Sequence, residues 1–272
     1  METLQVIGEG NTAQVVALSH QKVAKLFFAH VTEAAIEHEY VIHQAISNLG
    51  LPIPFVYKRE MIHGKRAVIY ERISGPTLIR QIENKPWRAF PLIMQLAKLH
   101  ANVHDTKKLS NLPSLQDVIK KKISSVDTIN EEEKTMIDLH LKKLSDGNSL
   151  CHGDFHPDNV LLSERGPIII DWTDATMGNR LADVARTLLI LKYGGLPDHT
   201  SKIRFRTTLY IRKLLASHYV RSYKKGYDFP VKELENWTLP IAAARLSENL
   251  PLREKKQLVS FIRQYLKDGK TL

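Results

Sequence analysis

The chain has 272 residues, of which 43% are hydrophobic, with a formal net charge of +10 and one cysteine. This length supports one large domain or two modest domains with cores of their own. Its apolar runs are strand-sized, which argues against a membrane-spanning helix, and the single Cys151 excludes an internal disulfide framework. The first residues carry neither the basic nor the apolar region of a signal peptide, so we expect a cytoplasmic protein.

The positive charge is unevenly distributed. Residues 201–272 contain 16 of the 39 basic residues but only 6 of the 29 acidic residues, and they therefore carry the whole net charge. Such a segment can attract nucleic acid, anionic lipid or an anionic substrate. Solvated helix faces are the more common explanation of such a segment, so nucleic acid is not expected as a partner.

The first third of the chain predicts a small β-sheet with one helix. Strands are expected where β-branched and apolar residues run between turn residues, in "LQVIGEG", "QVVALS", "KVAKLFF" and "RAVIYERI". The segment "TEAAIEHEYVIHQAISNLG" has helical spacing, with Thr32 as its N-cap and Gly50 as its stop. The following "LPIP" imposes an extended exit.

Helices dominate after Gly75 and Pro76. They are predicted in "PLIMQLAKLHANVH", "SLQDVIKKKI" and "EEEKTMIDLHLKKL", and from Leu181 to the end of the chain. Only two further strands are expected, "NVLLSE" and "GPIIIDW", which form a hairpin around Glu164, Arg165 and Gly166. The sequence thus predicts an α+β protein with a β-rich lobe at 1–73 and a larger helical lobe at 74–272.

Two glycines, Gly8 and Gly10, separate the first two predicted strands. A position without a β-carbon lets backbone N–H groups come close to a phosphate, although a hairpin turn explains a glycine pair about equally well. Lys25 ends the next strand and could reach over this turn to a phosphate. A surface lysine is the commoner explanation when Lys25 is considered alone.

Glu39 lies on the apolar face of the predicted helix, together with Ile42 and Ile46. An unpaired carboxylate would be costly to bury there, so Glu39 calls for a cation, and Lys25 is the natural candidate. A position at the edge of the apolar stripe is the alternative.

The segment "LCHGDFHPDNVLL" concentrates polar residues in one loop. His152, Asp154 and His156 could bind zinc, or the loop could be a polar turn. It could also be a catalytic loop, in which Asp154 orients a hydroxyl and accepts its proton while Asn159 holds Mg²⁺. The last interpretation predicts a second metal-binding acid on a nearby strand, and Asp171 at the end of "PIIID" fulfils it.

These motifs occur in the order found in the protein-kinase-like small-molecule kinases. The glycine loop, "VIYERISG", "LAKLH", "HGDFHPDN", "IIIDW" and "LADVART" together resemble the aminoglycoside phosphotransferase family, which is related to choline kinase. The resemblance implies a two-lobed protein-kinase-like fold with a small antiparallel sheet in the N-terminal lobe. It also implies ATP or GTP with Mg²⁺ as cofactors and a small-molecule alcohol as the phosphate acceptor.

The resemblance also implies roles for individual residues. Asp154 resembles the catalytic aspartate, Asn159 and Asp171 resemble the magnesium ligands, and Asp183 resembles the acid that braces the catalytic loop. The nucleotide would be bound by Gly8, Gly10, Lys25 and Glu39, with the backbone of Glu71 and Ile73 contacting adenine.

The chain also departs from the family pattern. Ala13 replaces the third loop glycine, which bears on closure over the γ-phosphate, and "HGD" replaces the "HRD" of protein kinases. The sequence shows no activation segment ending in "APE", so a protein substrate is not expected.

Three functions are consistent with parts of this pattern. A Mg·ATP-dependent kinase of a small-molecule hydroxyl uses all of these motifs. A nucleotide-binding regulatory module without turnover would be expected to have lost the base, the lysine or a metal ligand, and all are present. A zinc-dependent hydrolase built on His152, Asp154 and His156 would leave Lys25 and Asp171 unexplained.

Five further residues have a simpler explanation. His100 and His104 lie one helical turn apart and could bind a metal, but packing is expected. Cys151 is expected to be a small core residue rather than a nucleophile, and Trp172 and Trp237 are expected to pack rather than to bind a cation.

Overall fold

The computed structural model describes residues 4–106, 108–194 and 202–269, and Ser201 and 270–272 of the basic segment lie outside this part. The chain divides into two compact units, one formed by Met1–Asn84 with Pro157–Asp174 and the other by Lys85–His156 with Ala175–Leu272. The protein belongs to the α+β class, as the sequence predicts.

The strands are β1 (Gln5–Glu9), β2 (Ala13–Ala17), β3 (Lys22–Phe27), β4 (Val56–Ile62), β5 (Lys65–Glu71), β6 (Ser149–Cys151), β7 (Val160–Ser163), β8 (Gly166–Ile169) and β9 (Thr176–Gly178). The helices are α1 (Glu33–Ser47), α2 (Leu78–Asn84), α3 (Ala89–His104), α4 (Leu115–Ser124), α5 (Glu131–Lys142), α6 (Arg180–Tyr193), α7 (Lys202–Lys224), α8 (Val231–Arg245) and α9 (Leu252–Lys267). One-turn 3₁₀ helices cover Pro86–Arg88 and Pro157–Asn159.

The first unit contains an antiparallel sheet of five strands in the order β1-β2-β3-β5-β4. Four of these strands are predicted from the sequence. The fifth, β4, is not, because it lies at the edge of the sheet and most of its side chains are exposed or only partly buried. Its apolar alternation is therefore weak.

Helix α1 begins as predicted. The Thr32 hydroxyl accepts a hydrogen bond from the backbone N–H of Ala35 at 3.2 Å, which caps the helix. The helix ends at Ser47, and Gly50 follows with a left-handed φ of 71°. The side chains of Glu39 and Ile42 are buried as expected.

The hairpin of β7 and β8 turns between Ser163 and Gly166, in the place predicted for it. The hairpin belongs to the first unit because the N–H of Leu162 donates to Pro76 and the N–H of Ile169 donates to Pro52, at 2.9 and 2.7 Å. The boundaries of the compact units therefore differ from the lobe boundary expected at residue 73. The division into lobes at residue 73 stays a prediction.

The second unit is built mainly from α3 to α9. The predicted helices of this region are confirmed where the structure describes them, and 195–200 lie outside the described residues. The prediction of only two strands after Pro76 is wrong, because β6 and β9 form a second small sheet. Each has three residues, which is too short to show a period of two in the sequence. Helix α2 is likewise not predicted.

Within the described ranges, none of the helices combines the length and the apolar character that crossing a membrane requires.

Candidate active site

Lys25 and Glu39 form an ion pair in the first unit, as the sequence predicts. Lys25 lies on β3 and Glu39 on the buried side of α1, and Nζ of Lys25 is 2.9 Å from Oε2 of Glu39. The carboxylate of Glu39 is buried, and the lysine neutralises its charge.

Two further groups contact Glu39 that sequence reasoning missed. The hydroxyl of Tyr70, at the end of β5, donates a hydrogen bond to Oε1 of Glu39 at 2.8 Å. The hydroxyl of Thr173 lies 3.1 Å from Oε2 of Glu39 and 3.0 Å from Oδ1 of Asp171. We call Lys25, Glu39, Tyr70, Asp171 and Thr173 the Lys25 cluster.

Asp171 follows β8 directly and lies near Lys25. Its Oδ1 is 3.5 Å from Nζ of Lys25, and its backbone has a φ of 60°, a left-handed value that is strained for a residue other than glycine. Burial alone would lower the pKa of Lys25, but the charges of Asp171 and Glu39 outweigh it and raise this pKa. Lys25 is therefore a fixed cation beside two carboxylates.

Gly8 and Gly10 lie in and after β1. Neither has a left-handed backbone, and a β-carbon would meet no atom of the described residues closer than 3.8 Å at Gly8 or 3.9 Å at Gly10. The packing of the first unit therefore does not require glycine at either position. Ala13, at the third glycine position of the family pattern, begins β2 and is buried against Phe27 and Val68.

The predicted adenine contacts lie at the end of β5. The backbone N–H of Glu71 already donates to the carbonyl of Phe55 at 2.8 Å, and its carboxylate pairs with Arg165 at 2.8 Å. Ile73 follows two residues beyond the strand and is partly buried.

Asn159 ends the 3₁₀ turn that leads into β7. Its side chain is largely buried, and its backbone carbonyl accepts a hydrogen bond from the N–H of Ile170 at 3.0 Å. This bond fixes Asn159 against the residue that precedes Asp171.

The sequence "HGD" of the predicted catalytic loop lies in the second unit and is held by Asp183 of α6. The backbone N–H groups of His152 and Gly153 donate to the two carboxylate oxygens of Asp183, at 2.6 and 3.1 Å. Gly153 has a left-handed φ of 79°, which explains the glycine at this position. Asp183 thus contacts the loop in the way expected of a bracing acid.

Two histidines of α3 complete the surroundings of Asp183. Nε2 of His100 and of His104 lie 3.0 and 3.3 Å from Oδ2 of Asp183, and Nδ1 of each contacts the hydroxyl of Tyr219 or Tyr223. Both histidines are buried, and burial together with the charge of His100 lowers the pKa of His104 to about 4. Although the three ligand atoms converge as in a metal site, hydrogen bonds account for their positions.

Asp154 has a partner at each carboxylate oxygen. Nη2 of Arg186 is 3.0 Å from Oδ1, and Nε2 of His156 is 3.3 Å from Oδ2. Burial alone would raise the pKa of Asp154, but the hydrogen bond from His156 and the charge of Arg186 outweigh it and lower this pKa. Asp154 is therefore an anion over the physiological pH range. Sequence reasoning missed Arg186.

The proposed zinc ligand His152 has a structural contact instead. Its ring is fully buried, and Nδ1 accepts a hydrogen bond from the backbone N–H of Asp154 at 3.2 Å. This geometry favours a loop-supporting role for His152 over metal binding.

Cys151, Trp172 and Trp237 are buried, in agreement with packing roles. Burial also raises the pKa of the Cys151 thiol well above its usual value, which disfavours a thiolate nucleophile. The indole N–H of Trp172 donates to the carbonyl of Ile169 at 3.3 Å.

Part of the basic segment forms the outer face of α9. Lys255, Lys256, Arg263 and Lys267 contribute to the lining of a cavity of about 570 Å³. Three of these four side chains are exposed, as expected for a solvated helix face.

Comparison with solved structures identifies the fold. The chain is similar to an aminoglycoside-3'-phosphotransferase of type VIII, with 18% identity, a TM-score of 0.63 and coverage of 90% of this chain and 92% of that one. It is similar to a thermostable mutant of aminoglycoside phosphotransferase APH(4)-Ia in complex with AMP-PNP and hygromycin B, with 17% identity, a TM-score of 0.63 and coverage of 98% and 92%. The protein-kinase-like fold expected from the sequence is thereby confirmed.

One curated relative is acyl-CoA dehydrogenase family member 10 of Mus musculus, which is 25% identical. The similarity covers 76% of this chain but only 21% of the mouse protein, so the chain spans about a fifth of that relative's length. The sequence profile described as "Phosphotransferase enzyme family" matches residues 3–209, which is most of the chain. On this match the protein belongs to the phosphotransferase enzyme family.

Proposed function

We propose that this protein is a Mg·ATP-dependent kinase that transfers the γ-phosphate to a hydroxyl group of a small molecule. The observation that carries the proposal is the Lys25 cluster, in which a buried lysine is fixed by Glu39 and lies beside Asp171. A structural ion pair alone would not need a second, half-exposed carboxylate on a strained backbone.

The nucleotide would be bound through its phosphates. Lys25 supplies a fixed positive charge for the α- and β-phosphates, as the family resemblance implies. Packing of the described residues does not explain why positions 8 and 10 are glycines. Close approach of a phosphate to the backbone does explain them. Two aminoglycoside phosphotransferases of similar fold have nucleotides bound in their solved structures, AMP-PNP in one and ADP in the other.

Asn159 and Asp171 would hold Mg²⁺. Both provide oxygen ligands, which this hard cation prefers, and the carboxylate of Asp171 is about half exposed. When bound, the cation would neutralise charge on the phosphate oxygens. Thr173 fixes the orientation of Asp171 through its hydroxyl, and Lys25 fixes it through charge.

Asp154 would act on the acceptor. Because it is ionised before the reaction, it accepts a hydrogen bond from the acceptor hydroxyl and orients the hydroxyl oxygen toward the γ-phosphorus. The new oxygen–phosphorus bond forms while the bond from the γ-phosphorus to the bridging oxygen of ADP breaks. The hydroxyl proton passes to Asp154, which releases it to solvent.

Two further assignments follow from this chemistry. The acceptor is a small molecule rather than a protein, because an activation segment ending in "APE" is missing from the sequence. The protein would act in the cytoplasm, where ATP and Mg²⁺ are available. A regulatory module without turnover is disfavoured, because Lys25, Asp154 and Asp171 are all present.

Thermal unfolding tests nucleotide binding. A ligand that binds only the folded state stabilises it by about 2.7 kcal/mol at a hundredfold excess over its dissociation constant, so Mg·ATP or Mg·GTP should raise Tm. If neither nucleotide at millimolar concentration shifts Tm, the kinase proposal fails.

Two variants test the assigned roles. Asp154→Asn should leave the Tm shift with Mg·ATP nearly intact while removing most ADP release with any alcohol that wild-type protein phosphorylates. Asp171→Ala should weaken magnesium-dependent nucleotide binding as well. Reversed phenotypes would show that the two roles are exchanged. Stoichiometric zinc in purified protein that His152→Ala removes would support the hydrolase instead.

A further inference from the structure

A line of alternating charges leads from the C-terminal helices of the second unit to Asp154. The contacts are Arg186 Nη2 to Asp154 Oδ1 at 3.0 Å, Arg186 Nη1 to Glu248 Oε1 at 2.5 Å, Arg245 Nη1 to Glu248 Oε2 at 3.4 Å, and Arg245 Nη2 to Glu254 Oε1 at 2.5 Å. We call these five residues the charge chain. Each arginine in it contacts two carboxylates.

Helix α6 holds the catalytic loop with three of its side chains. Asp183 accepts the backbone N–H groups of His152 and Gly153, and the hydroxyl of Thr187 donates to the carbonyl of Phe155 at 2.7 Å. Arg186 contacts Asp154, the residue between them. Positions three and four apart share a helix face, so the spacing of 183, 186 and 187 directs all three side chains to the loop.

The charge chain is largely buried. Arg186, Arg245 and Glu254 are at most 8% exposed. Removing one partner of a buried ion pair leaves an uncompensated charge, which is strongly unfavourable, so these contacts persist while the unit is folded. Glu248 therefore holds one terminal nitrogen of the Arg186 guanidinium while the other contacts Asp154.

We propose that Arg186 is a positioning residue that fixes the carboxylate of Asp154, and that Glu248 acts on Asp154 through Arg186. With Oδ1 held by Arg186 and Oδ2 near His156, rotation of the carboxylate is restricted. A hydroxyl then meets Asp154 in one orientation, which favours transfer. The effect on turnover rests on the proposed function, whereas the effect on Asp154 does not.

The charged and titratable groups around Asp154 come from several elements. Arg186 lies on α6, His152 and His156 lie in the catalytic loop, and each favours the ionised carboxylate. Glu248, after α8, acts one contact further away and lies 3.9 Å from Lys122 of α4. Loss of Arg186 removes the nearest full positive charge.

The first experiment needs no turnover. The ¹³C resonance of the Asp154 carboxyl, assigned with Asp154→Asn in protein labelled at aspartate, is followed from pH 8 to pH 4. We expect no titration of this resonance in wild-type protein over this range, and in Arg186→Gln a titration whose midpoint has moved up far enough for its upper part to appear above pH 4. Arg180→Gln is the matched control, because Arg180 lies on the same helix and pairs with Asp105 at 3.0 Å outside the charge chain.

The second experiment measures ADP release from Mg·ATP, with water as the acceptor or with any alcohol that the protein phosphorylates. Arg186→Gln should lower kcat about ten- to a hundredfold with little change in the KM for ATP, and Arg186→Lys should restore part of the loss. Glu248→Gln should lower kcat in wild-type protein but have no further effect in Arg186→Gln.

The outcomes separate the two proposals. An Arg186→Gln variant in which Asp154 still does not titrate above pH 4 and in which kcat equals the wild-type value overturns the positioning role. Additive effects of Arg186→Gln and Glu248→Gln overturn the action of Glu248 through Arg186. Absence of any nucleotide-dependent Tm shift in wild-type protein overturns the kinase function alone, because the carboxyl titration still decides the role of Arg186.

Discussion

The Tyr70 hydroxyl donates a 2.8 Å hydrogen bond to Oε1 of Glu39, the carboxylate that also binds Lys25. Burial and the charge of Glu39 raise the pKa of Tyr70 well above its usual value, so the phenol remains a donor at physiological pH. The bond therefore satisfies the one oxygen of Glu39 that Thr173 does not reach.

Tyr70→Phe should lower the free energy of unfolding by about 1–3 kcal/mol, because it removes a hydrogen bond to a buried carboxylate oxygen and leaves Lys25 as the remaining donor to that oxygen. Urea unfolding measures this loss. Tyr40→Phe is the matched control: the Tyr40 hydroxyl accepts an exposed hydrogen bond from Gln44, and its loss should change stability by less than about 0.5 kcal/mol. Equal losses in the two variants would contradict the role given to Tyr70.

The glycines of the two motifs should respond differently to alanine. Gly153→Ala forces a side chain onto a left-handed backbone and should lower the free energy of unfolding by about 1–2 kcal/mol. Gly8→Ala meets Val15 only at 3.8 Å and should leave stability within about 0.5 kcal/mol while reducing the Tm shift with Mg·ATP. A Gly8→Ala variant with an unchanged Mg·ATP shift would argue against phosphate binding at this turn.

The sequence predicts features that depend on local periodicity. The Thr32 cap, the buried position of Glu39 and the hairpin of β7 and β8 all follow from spacing and turn residues. The pairing of Glu39 with Lys25 could be inferred because a carboxylate on an apolar face needs a cation.

The remaining contacts of the site depend on tertiary structure. Tyr70, Thr173 and Arg186 reach their partners across 31, 134 and 32 residues of sequence, so no short-range spacing signals them. Arg186 does lie three positions after Asp183 on one helix. That spacing could have suggested a second contact to the catalytic loop once Asp183 had been recognised as its brace.

Stability should fall in acid partly because of His104. Its folded pKa is lowered from 6.5 to about 4, so the folded state holds the ring neutral while the unfolded chain protonates it below pH 6.5. The contribution of this group is fully present above pH 6.5 and is lost as the pH falls toward 4. One such group changes the free energy of unfolding by about 1.4 kcal/mol per pH unit in that window.

His104→Gln removes the titrating ring and keeps a donor for Asp183. The fall in the free energy of unfolding between pH 7 and pH 4.5, measured with urea, should therefore be smaller in this variant than in wild-type protein. His38→Gln, at an exposed position of α1, serves as the control and should keep the wild-type dependence. An unchanged pH dependence in His104→Gln would show that other groups cause the acid sensitivity.

The contacts of the charge chain affect which charge the acceptor can carry. A polycationic aminoglycoside needs carboxylates to pair with its ammonium groups. Glu248, which Arg186 joins to Asp154, already contacts Arg186 at 2.5 Å and Arg245 at 3.4 Å. An ammonium group that bound Glu248 would have to displace the largely buried guanidinium of Arg186 or Arg245. In addition, residues 201–272 carry the whole net positive charge of the chain.

Aminoglycosides such as kanamycin should therefore be poor acceptors, although the solved structures of similar fold include aminoglycoside kinases. An uncharged or anionic alcohol should have the higher kcat/KM, by at least about tenfold, since an ammonium group without a counter-charge costs more than 1.4 kcal/mol. Steady-state ADP release with kanamycin, neomycin and a panel of neutral alcohols measures this difference. Choline and its uncharged carbon isostere form a matched pair that isolates the charge from the shape of the acceptor. Turnover of kanamycin or neomycin with a micromolar KM would refute the charge argument, because it would require carboxylates near Asp154 that bind ammonium groups despite the arginines.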